Sequence, residues 1–143
     1  MSQHRVLIVA GTFYRDIADA LIAGATEALT AAGVSFDLVE VPGALEIPGA
    51  ITQAVLGEAG YDGYVALGCV IRGETTHYDY VCSESARGLM DLSLRGIPLG
   101  NGILTVENRG QALRRAIEKN KGADVAGACL ALIALRDRFR RAP

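Results

Sequence analysis

Short apolar runs alternate with amphipathic segments along the whole chain. Four runs that are mostly apolar and end at Gly, Pro or polar residues predict β-strands at 5–11, 35–41, 64–71 and 97–106. The first and third runs are almost continuously apolar, as expected of strands buried on both faces of a parallel sheet. Between and after the runs, apolar residues recur three and four positions apart, which predicts helices at 16–32, 46–58, about 76–95, 109–119 and 124–139.

This order of elements predicts the fold class. Strands that alternate with helices form right-handed crossovers and therefore a parallel sheet. We expect one domain over residues 1–143, an α/β fold in which a doubly wound, four-stranded parallel sheet is flanked by helices, as in flavodoxin-like three-layer α/β/α proteins. The fourth strand is the weakest prediction, because Pro98 must lie at its start and Gly100-Asn101-Gly102 weakens its middle.

Composition narrows the class of protein. The chain has 143 residues, half of them hydrophobic, and a formal net charge of −2, which fits one globular core and predicts neither a nucleic-acid nor an anionic-membrane partner. Its apolar runs are shorter than the roughly 20 residues of a membrane span. The N-terminus, which includes His4 and is expected to fray, leads into the first strand without the order of a signal peptide, so we expect a cytoplasmic protein.

Ligands of doubly wound folds bind beyond the carboxyl ends of the strands, which directs attention to four loops. These loops are residues 11–14, 41–46, 72–77 and 107–108. The third loop is the most informative, because Gly73 and the following threonines precede a helix whose N-terminus could hold a phosphate. An equally good interpretation is a capping box, in which Thr76 caps the helix and the Asp79 side chain accepts a hydrogen bond from the backbone of Thr76.

Single residues in these loops support a functional and a structural interpretation alike. His77 could move protons near neutral pH, or it could be a solvated residue at a helix start. Phe13 could stack on a planar ring, or it could pack beneath a neighbouring loop. Glu46 could bind hydroxyl groups, or it could simply meet the helix dipole. Three cysteines without a C-x-x-C pair predict neither a disulfide framework nor a zinc site, although Cys69 and Cys82 flank His77.

Three segments carry a resemblance to a known family. They are VPGALEIP at 41–48, LGCVIRGETTHYDYV at 67–81 and GILTVEN at 102–108. In this order they resemble the 6,7-dimethyl-8-ribityllumazine synthases, and the likeness covers essentially the whole chain. Members of that family condense 5-amino-6-(D-ribitylamino)uracil with 3,4-dihydroxy-2-butanone 4-phosphate, which releases phosphate and water in the penultimate step of riboflavin biosynthesis. The resemblance implies a transferase that needs neither a metal nor an organic cofactor.

The resemblance also implies where the uracil substrate binds. Phe13 takes the place of the aromatic residue that stacks on the pyrimidine ring, and Glu46 that of the residue that binds the ribityl hydroxyls. Asn101 stands where many members have an aromatic residue that reaches the neighbouring subunit's site, so only a backbone contact is implied for it. The other matches line the ribityl chain or meet the uracil edge through the backbone, and they are Ala44, Leu45, Cys69, Val70 and Ile71.

The phosphate substrate is assigned in the same way. Glu74 and Thr75 match the residues that cradle the butanone phosphate, and Arg115 matches the arginine that pairs with it. His77 matches the proton-transfer residue, a role that suits the formation of a carbinolamine and an imine. A helix N-terminus and an arginine would stabilise the departing phosphate.

The resemblance implies a homo-oligomer with its sites at subunit interfaces and riboflavin synthase as a candidate partner. The segment 118–122 is short and lacks the Gly-rich linker of members that form sixty-subunit shells, so we expect a pentamer, with the shell as the alternative. The rival function is a non-catalytic flavin- or lumazine-binding protein on the same scaffold, which would not need His77 or Arg115. A response-regulator domain is disfavoured, because the acidic residues it requires after the first and third strands do not stand there.

Overall fold

The structure, a computed structural model, describes residues 3–140 and contains one parallel sheet. Its strands are β1 (Arg5–Gly11), β2 (Ser35–Val41), β3 (Gly63–Ile71) and β4 (Leu99–Val106), in the order β2-β1-β3-β4. The helices are α1 (Arg15–Ala31), α2 (Ile47–Leu56), α3 (His77–Leu94), α4 (Arg109–Leu113) and α5 (Lys121–Arg140). The predicted fold class is confirmed, whereas the predicted domain limits, 1 and 143, lie outside the described residues.

Helices cover both faces of the sheet, so the molecule has three layers. Alternate residues of a strand point to opposite faces. Ile8 and Leu67 face one layer, formed by α1, α4 and α5, and share its core with Leu21. Val9 faces the other layer, formed by α2 and α3, where Ile51 is fully buried. This burial on both faces explains why the first and third strands are continuously apolar in the sequence.

The predicted helices are present, with local differences at three ends. The second begins as a 3₁₀ turn at Ala44–Glu46 before α2. The fourth widens into a π-helical turn at Arg114–Glu118, where the amide of Lys119 donates to the carbonyl of Arg114. The last begins at Lys121 rather than 124, directly after Asn120, whose φ of 46° ends the preceding turn.

Strand β4 is continuous, and its glycines have a packing role. A Cβ atom at Gly100 would overlap the carbonyl oxygen of Val125 in α5, and one at Gly102 would lie 2.8 Å from the Val125 side chain. The triplet does not interrupt the pairing of β4 with β3, and the missing side chains let α5 approach the sheet closely. The strand begins at Leu99 rather than at the predicted residue 97, so Pro98 lies just before it.

The amino ends of the strands are joined to α5 by ion pairs. His4 Nε2 lies 2.8 Å from Asp137 Oδ2, so this residue is held in place and the expectation of fraying is wrong for it. Arg136 extends this network of ion pairs, because its Nη2 lies 2.9 Å from Asp137 Oδ1 and 3.0 Å from Asp62 Oδ1. No helix in residues 3–140 is long and apolar enough to cross a membrane.

Candidate functional site at the carboxyl edge of the sheet

The strand order places a crevice between β1 and β3. The connection from β1 leads to β2 on one side, whereas the connection from β3 leads to β4 on the other. The loops after β1 and β3 therefore diverge, and this switch point is where doubly wound folds bind ligands. Phe13 and the 73–77 loop, both singled out from the sequence, follow these two strands.

Strand β3 extends beyond β1 at the crevice. The β1–β3 pairing ends at Ala10 and Leu67, whereas the β3–β4 pairing continues to Ile71 and Val106. Within the described residues, 68–71 thus have a ladder partner on the β4 side and pass beyond the β1 ladder on the other side. Backbone N–H and C=O groups require partners, so this side of β3 is suited to the polar edge of a planar ring.

The loops after β1 and β2 meet at the same edge. A Cβ atom at Gly11 would lie 2.9 Å from the carbonyl carbon of Gly43, so only glycine allows this approach. The amide of Thr12 donates to the carbonyl of Val41 at 3.1 Å. Phe13 is 75% exposed and packs edge-on against Tyr14, with ring centroids 4.9 Å apart. Its exposed face fits the stacking hypothesis better than the buried alternative.

The 3₁₀ turn at 44–46 presents two of its three predicted ligand residues. Leu45 and Glu46 are exposed at the edge of the crevice. Ala44 is instead buried with Val70 and Val81, so the side chains of Ala44 and Val70 serve the protein core. Ligand contacts from Ala44 and Val70 would have to come from the backbone.

The loop before α3 differs from the predicted capping box. Thr76 has helical φ and ψ angles (−73° and −2°) and makes no side-chain cap, whereas a capping residue usually has extended geometry. The amide of His77 donates to Thr75 Oγ1 at 3.2 Å, and the amide of Asp79 donates to the Thr76 carbonyl. The Thr76–Asp79 capping box is therefore wrong, and the side-chain oxygen that accepts from the first amide of α3 belongs to Thr75 rather than to Thr76.

The side chains of this loop face solvent. Glu74, Thr75 and His77 are all exposed. A Cβ atom at Gly73 would meet no atom within 4 Å, and its φ does not require glycine. Packing and conformation within the chain thus do not explain this glycine, and the open space leaves its backbone accessible.

Arg72 and Glu107 form a contact that sequence reasoning missed. Arg72 Nε lies 3.1 and 3.0 Å from the two carboxylate oxygens of Glu107, and its guanidinium stacks 4.3 Å from the centre of the Tyr78 ring. The hydrogen bonds to Glu107 hold the pKa of Arg72 above its ordinary value. Opposite charges directly after neighbouring strands were the signal that could have predicted the pair.

Cys69 is not suited to nucleophilic chemistry. Burial raises the pKa of its thiol to about 11, although the nearby Arg109 guanidinium opposes the shift. The thiol is therefore protonated near neutral pH and unreactive. Arg109 forms an ion pair with Asp16 that joins the first turns of α4 and α1. Within residues 3–140, His, Cys, Asp and Glu side chains form no group of three that could hold a metal.

Two predicted site residues lie away from the crevice. Asn101 is five residues before the end of β4, about 16 Å from the edge, and its Oδ1 accepts from the amide of Ile103. Arg115 lies in the helical layer opposite α3, about 10 Å along the helix from Asn108, and donates to the carbonyl of Gln111 at 3.2 Å. Neither residue lies beside Phe13 and the 73–77 loop at the carboxyl edge of the sheet.

Fold and site together define a small doubly wound α/β protein whose topological switch point lies between β1 and β3. The model of the 6,7-dimethyl-8-ribityllumazine synthase family matches residues 3–137. The chain belongs to this family.

Curated relatives agree with the family model. A 6,7-dimethyl-8-ribityllumazine synthase of Novosphingobium aromaticivorans is 56% identical over 137 residues, covering 94% of this chain and 98% of the relative. 6,7-Dimethyl-8-ribityllumazine synthase 1 of Rhizobium meliloti is 56% identical over 141 residues, covering 94% and 92%. The predictions of an enzyme, a transferase of the lumazine synthase type in riboflavin biosynthesis, are confirmed, and nothing favours the non-catalytic alternative.

Proposed function

We propose that the crevice between β1 and β3 binds 5-amino-6-(D-ribitylamino)uracil and condenses it with 3,4-dihydroxy-2-butanone 4-phosphate. The main support for this proposal is that residues 68–71, at the end of β3, extend beyond the β1 ladder. Its backbone groups can pair with the uracil edge, while the exposed ring of Phe13 stacks on the pyrimidine. Leu45 and Glu46 lie beside this position for the ribityl chain, Glu46 as the acceptor of its hydroxyls.

The phosphate of the second substrate binds at the N-terminus of α3. The amides of the first turn and the helix dipole attract an anion, and α3 is long enough, at 18 residues, for both effects. The space above Gly73 lets the anion approach the backbone, and Glu74 and Thr75 border it. The same groups stabilise the charge that develops when phosphate leaves.

His77 moves the protons of the condensation. Attack of the uracil amine on the ketone forms a carbinolamine, and loss of water gives an imine before phosphate is eliminated. His77 is the first residue of α3, next to the proposed phosphate position, and it is exposed to solvent with which it can exchange protons. Holding both substrates in register supplies a further part of the acceleration.

The complete site requires a second copy of the chain. The family implies an oligomer, and we propose a pentamer in the cytoplasm, with riboflavin synthase as a candidate partner. Asn101 and Arg115 lie too far from the crevice to complete it, so we assign them to the site of a neighbouring subunit. Exposed apolar side chains on several elements suit such contacts; they include Leu56, Met90, Leu94, Ile117 and Phe139.

The test is a steady-state assay of the purified protein with both substrates, followed by lumazine fluorescence. We expect turnover well above the reaction without enzyme and a loss of about 10- to 1,000-fold in His77→Ala. His4→Ala is the matched control, because His4 pairs with Asp137 at the opposite edge, and its turnover should equal that of the wild type. Unchanged turnover in His77→Ala would remove this residue from the mechanism. Tight flavin or lumazine binding without turnover would support the non-catalytic alternative.

A further inference from the structure

The Arg72 side chain joins three elements at the carboxyl edge of the sheet. It follows β3 directly, and its own amide donates to the carbonyl of Val106 at the end of β4 at 2.9 Å. Its single Nε–H is shared between the two oxygens of the Glu107 carboxylate, which follows β4. The same group stacks on Tyr78 at 4.3 Å and lies 3.7 Å from Asp79, both in the first turn of α3.

These contacts lie at the two ends of the 73–77 loop. Arg72 precedes the loop, and Tyr78 and Asp79 follow it. The loop side chains are exposed, and a Cβ at Gly73 would touch nothing, so packing does little to hold the loop itself. The guanidinium therefore connects the strand before the loop to the helix turn after it. A planar guanidinium that stacks on an aromatic ring while it donates to a carboxylate is restricted in geometry more than a point charge is.

We propose that Arg72, held by Glu107, is a positioning residue that sets the 73–77 turn for the phosphate of the second substrate. It acts through the turn and does not touch the reacting atoms. This inference rests on the proposed function, because it explains what holds the turn that forms the proposed phosphate site. Anchoring both ends of the loop orients the amides of the first turn and the His77 side chain relative to the crevice.

A purely electrostatic role for Arg72 makes a different prediction. Arg72 partly neutralises Glu107 and Asp79, two carboxylates close to a turn that would bind an anion. If neutralisation were its only task, Glu107→Gln would remove a repelling charge and improve binding of the phosphate substrate. If Glu107 holds the guanidinium in place, Glu107→Gln must instead weaken binding, as Arg72→Gln does. The sign of the Glu107→Gln effect separates the two roles.

The kinetic experiment compares Arg72→Gln, Glu107→Gln and the double variant with the wild type. We expect each single variant to raise KM for the butanone phosphate by about 10-fold, while KM for the uracil substrate changes by less than about 2-fold. The double variant should have a KM for the butanone phosphate no higher than either single variant, because each single substitution already breaks the contact between Arg72 and Glu107. Arg87→Gln is the matched control, since Arg87 pairs with Glu84 and Asp91 within α3 and joins no second element.

Amide hydrogen exchange tests the same inference without turnover. In Arg72→Gln and Glu107→Gln, the amides of 73–79 should exchange faster than in the wild type, whereas Arg87→Gln should leave them unchanged. A lower KM for the phosphate substrate in Glu107→Gln, or unchanged exchange in both variants, would overturn the positioning role. An inactive wild type would refute the proposed function, and hydrogen exchange would still decide whether Arg72 sets the turn.

Discussion

Replacing Gly100 with alanine tests how closely α5 packs on the edge strand. The added Cβ would overlap the carbonyl oxygen of Val125 and lie 2.9 Å from its carbonyl carbon. Carbon atoms in ordinary contact are about 3.5–4.0 Å apart, so β4 and α5 must separate by about 1 Å. Both partners are backbone atoms, so a change of side-chain rotamer cannot relieve the overlap.

The size of the effect follows from this displacement. Moving α5 away loosens the packing of Val125 and Cys129, which belong to the core beneath the helix. Overpacking of a core usually costs about 1–3 kcal/mol, and a backbone overlap belongs at the upper end of that range. For a chain of 143 residues, about 3 kcal/mol lowers Tm by roughly 10 °C.

Thermal unfolding at fixed protein concentration measures this loss. Gly127→Ala is the control, because Gly127 lies in the same helix, is exposed and has open space around its Cβ position. Alanine there should stabilise the helix by about 0.5–1 kcal/mol. If Gly100→Ala melts within about 1 °C of the wild type, the close approach of β4 and α5 is not required and the reasoning fails.

Two further predictions concern the second substrate and alkaline pH. Arg115→Ala should raise KM for the butanone phosphate more than KM for the uracil substrate, because we propose that the guanidinium pairs with the phosphate; equal losses in a steady-state assay would contradict this assignment. Burial raises the pKa of Cys129 from an ordinary 9.0 to about 12, so its contribution to stability is complete below pH 9 and is lost as the pH rises towards 12. The stability advantage of the wild type over Cys129→Ala in urea unfolding should therefore shrink by about 1.4 kcal/mol between pH 7.5 and 10, and a constant difference would disprove the shift.

The sequence predicted the fold because its strongest signals are local. Strands buried on both faces need continuous apolar runs, and those runs located β1 and β3 almost to the residue. It could not predict the role of Gly100, because a glycine in a strand weakens the strand unless another backbone occupies the space, and the backbone that does so belongs to Val125, 25 residues away in the chain. Interactions between distant segments leave little trace in a local pattern.

The sequence predicted the parts of the candidate site that follow from local order along the chain, but not those that depend on contacts between distant segments. Phe13 lies in the loop that follows β1, and His77 lies at the end of the loop that follows β3. The rule for doubly wound folds was therefore enough to single them out, and the resemblance added their roles. The extension of β3 beyond β1 depends on where two separate strands stop pairing, which no local pattern records. The Arg72–Glu107 pair required the strand order, because the two residues become neighbours only when β4 lies beside β3.

The two edges of the sheet satisfy their polar groups differently, which explains why one of them can bind ligands. At the amino edge, Arg5 pairs with Asp37, Tyr61 donates to the same carboxylate, and Arg136 pairs with Asp62. At the carboxyl edge, β3 passes the end of the β1 ladder, so residues 68–71 have a ladder partner on the β4 side and lie beyond the ladder on the β1 side. Polar backbone groups that receive no partner from their own chain must bind water or a ligand. At the carboxyl edge, backbone groups without partners in their own chain remain available to a ligand. At the amino edge, the side-chain contacts stabilise the fold.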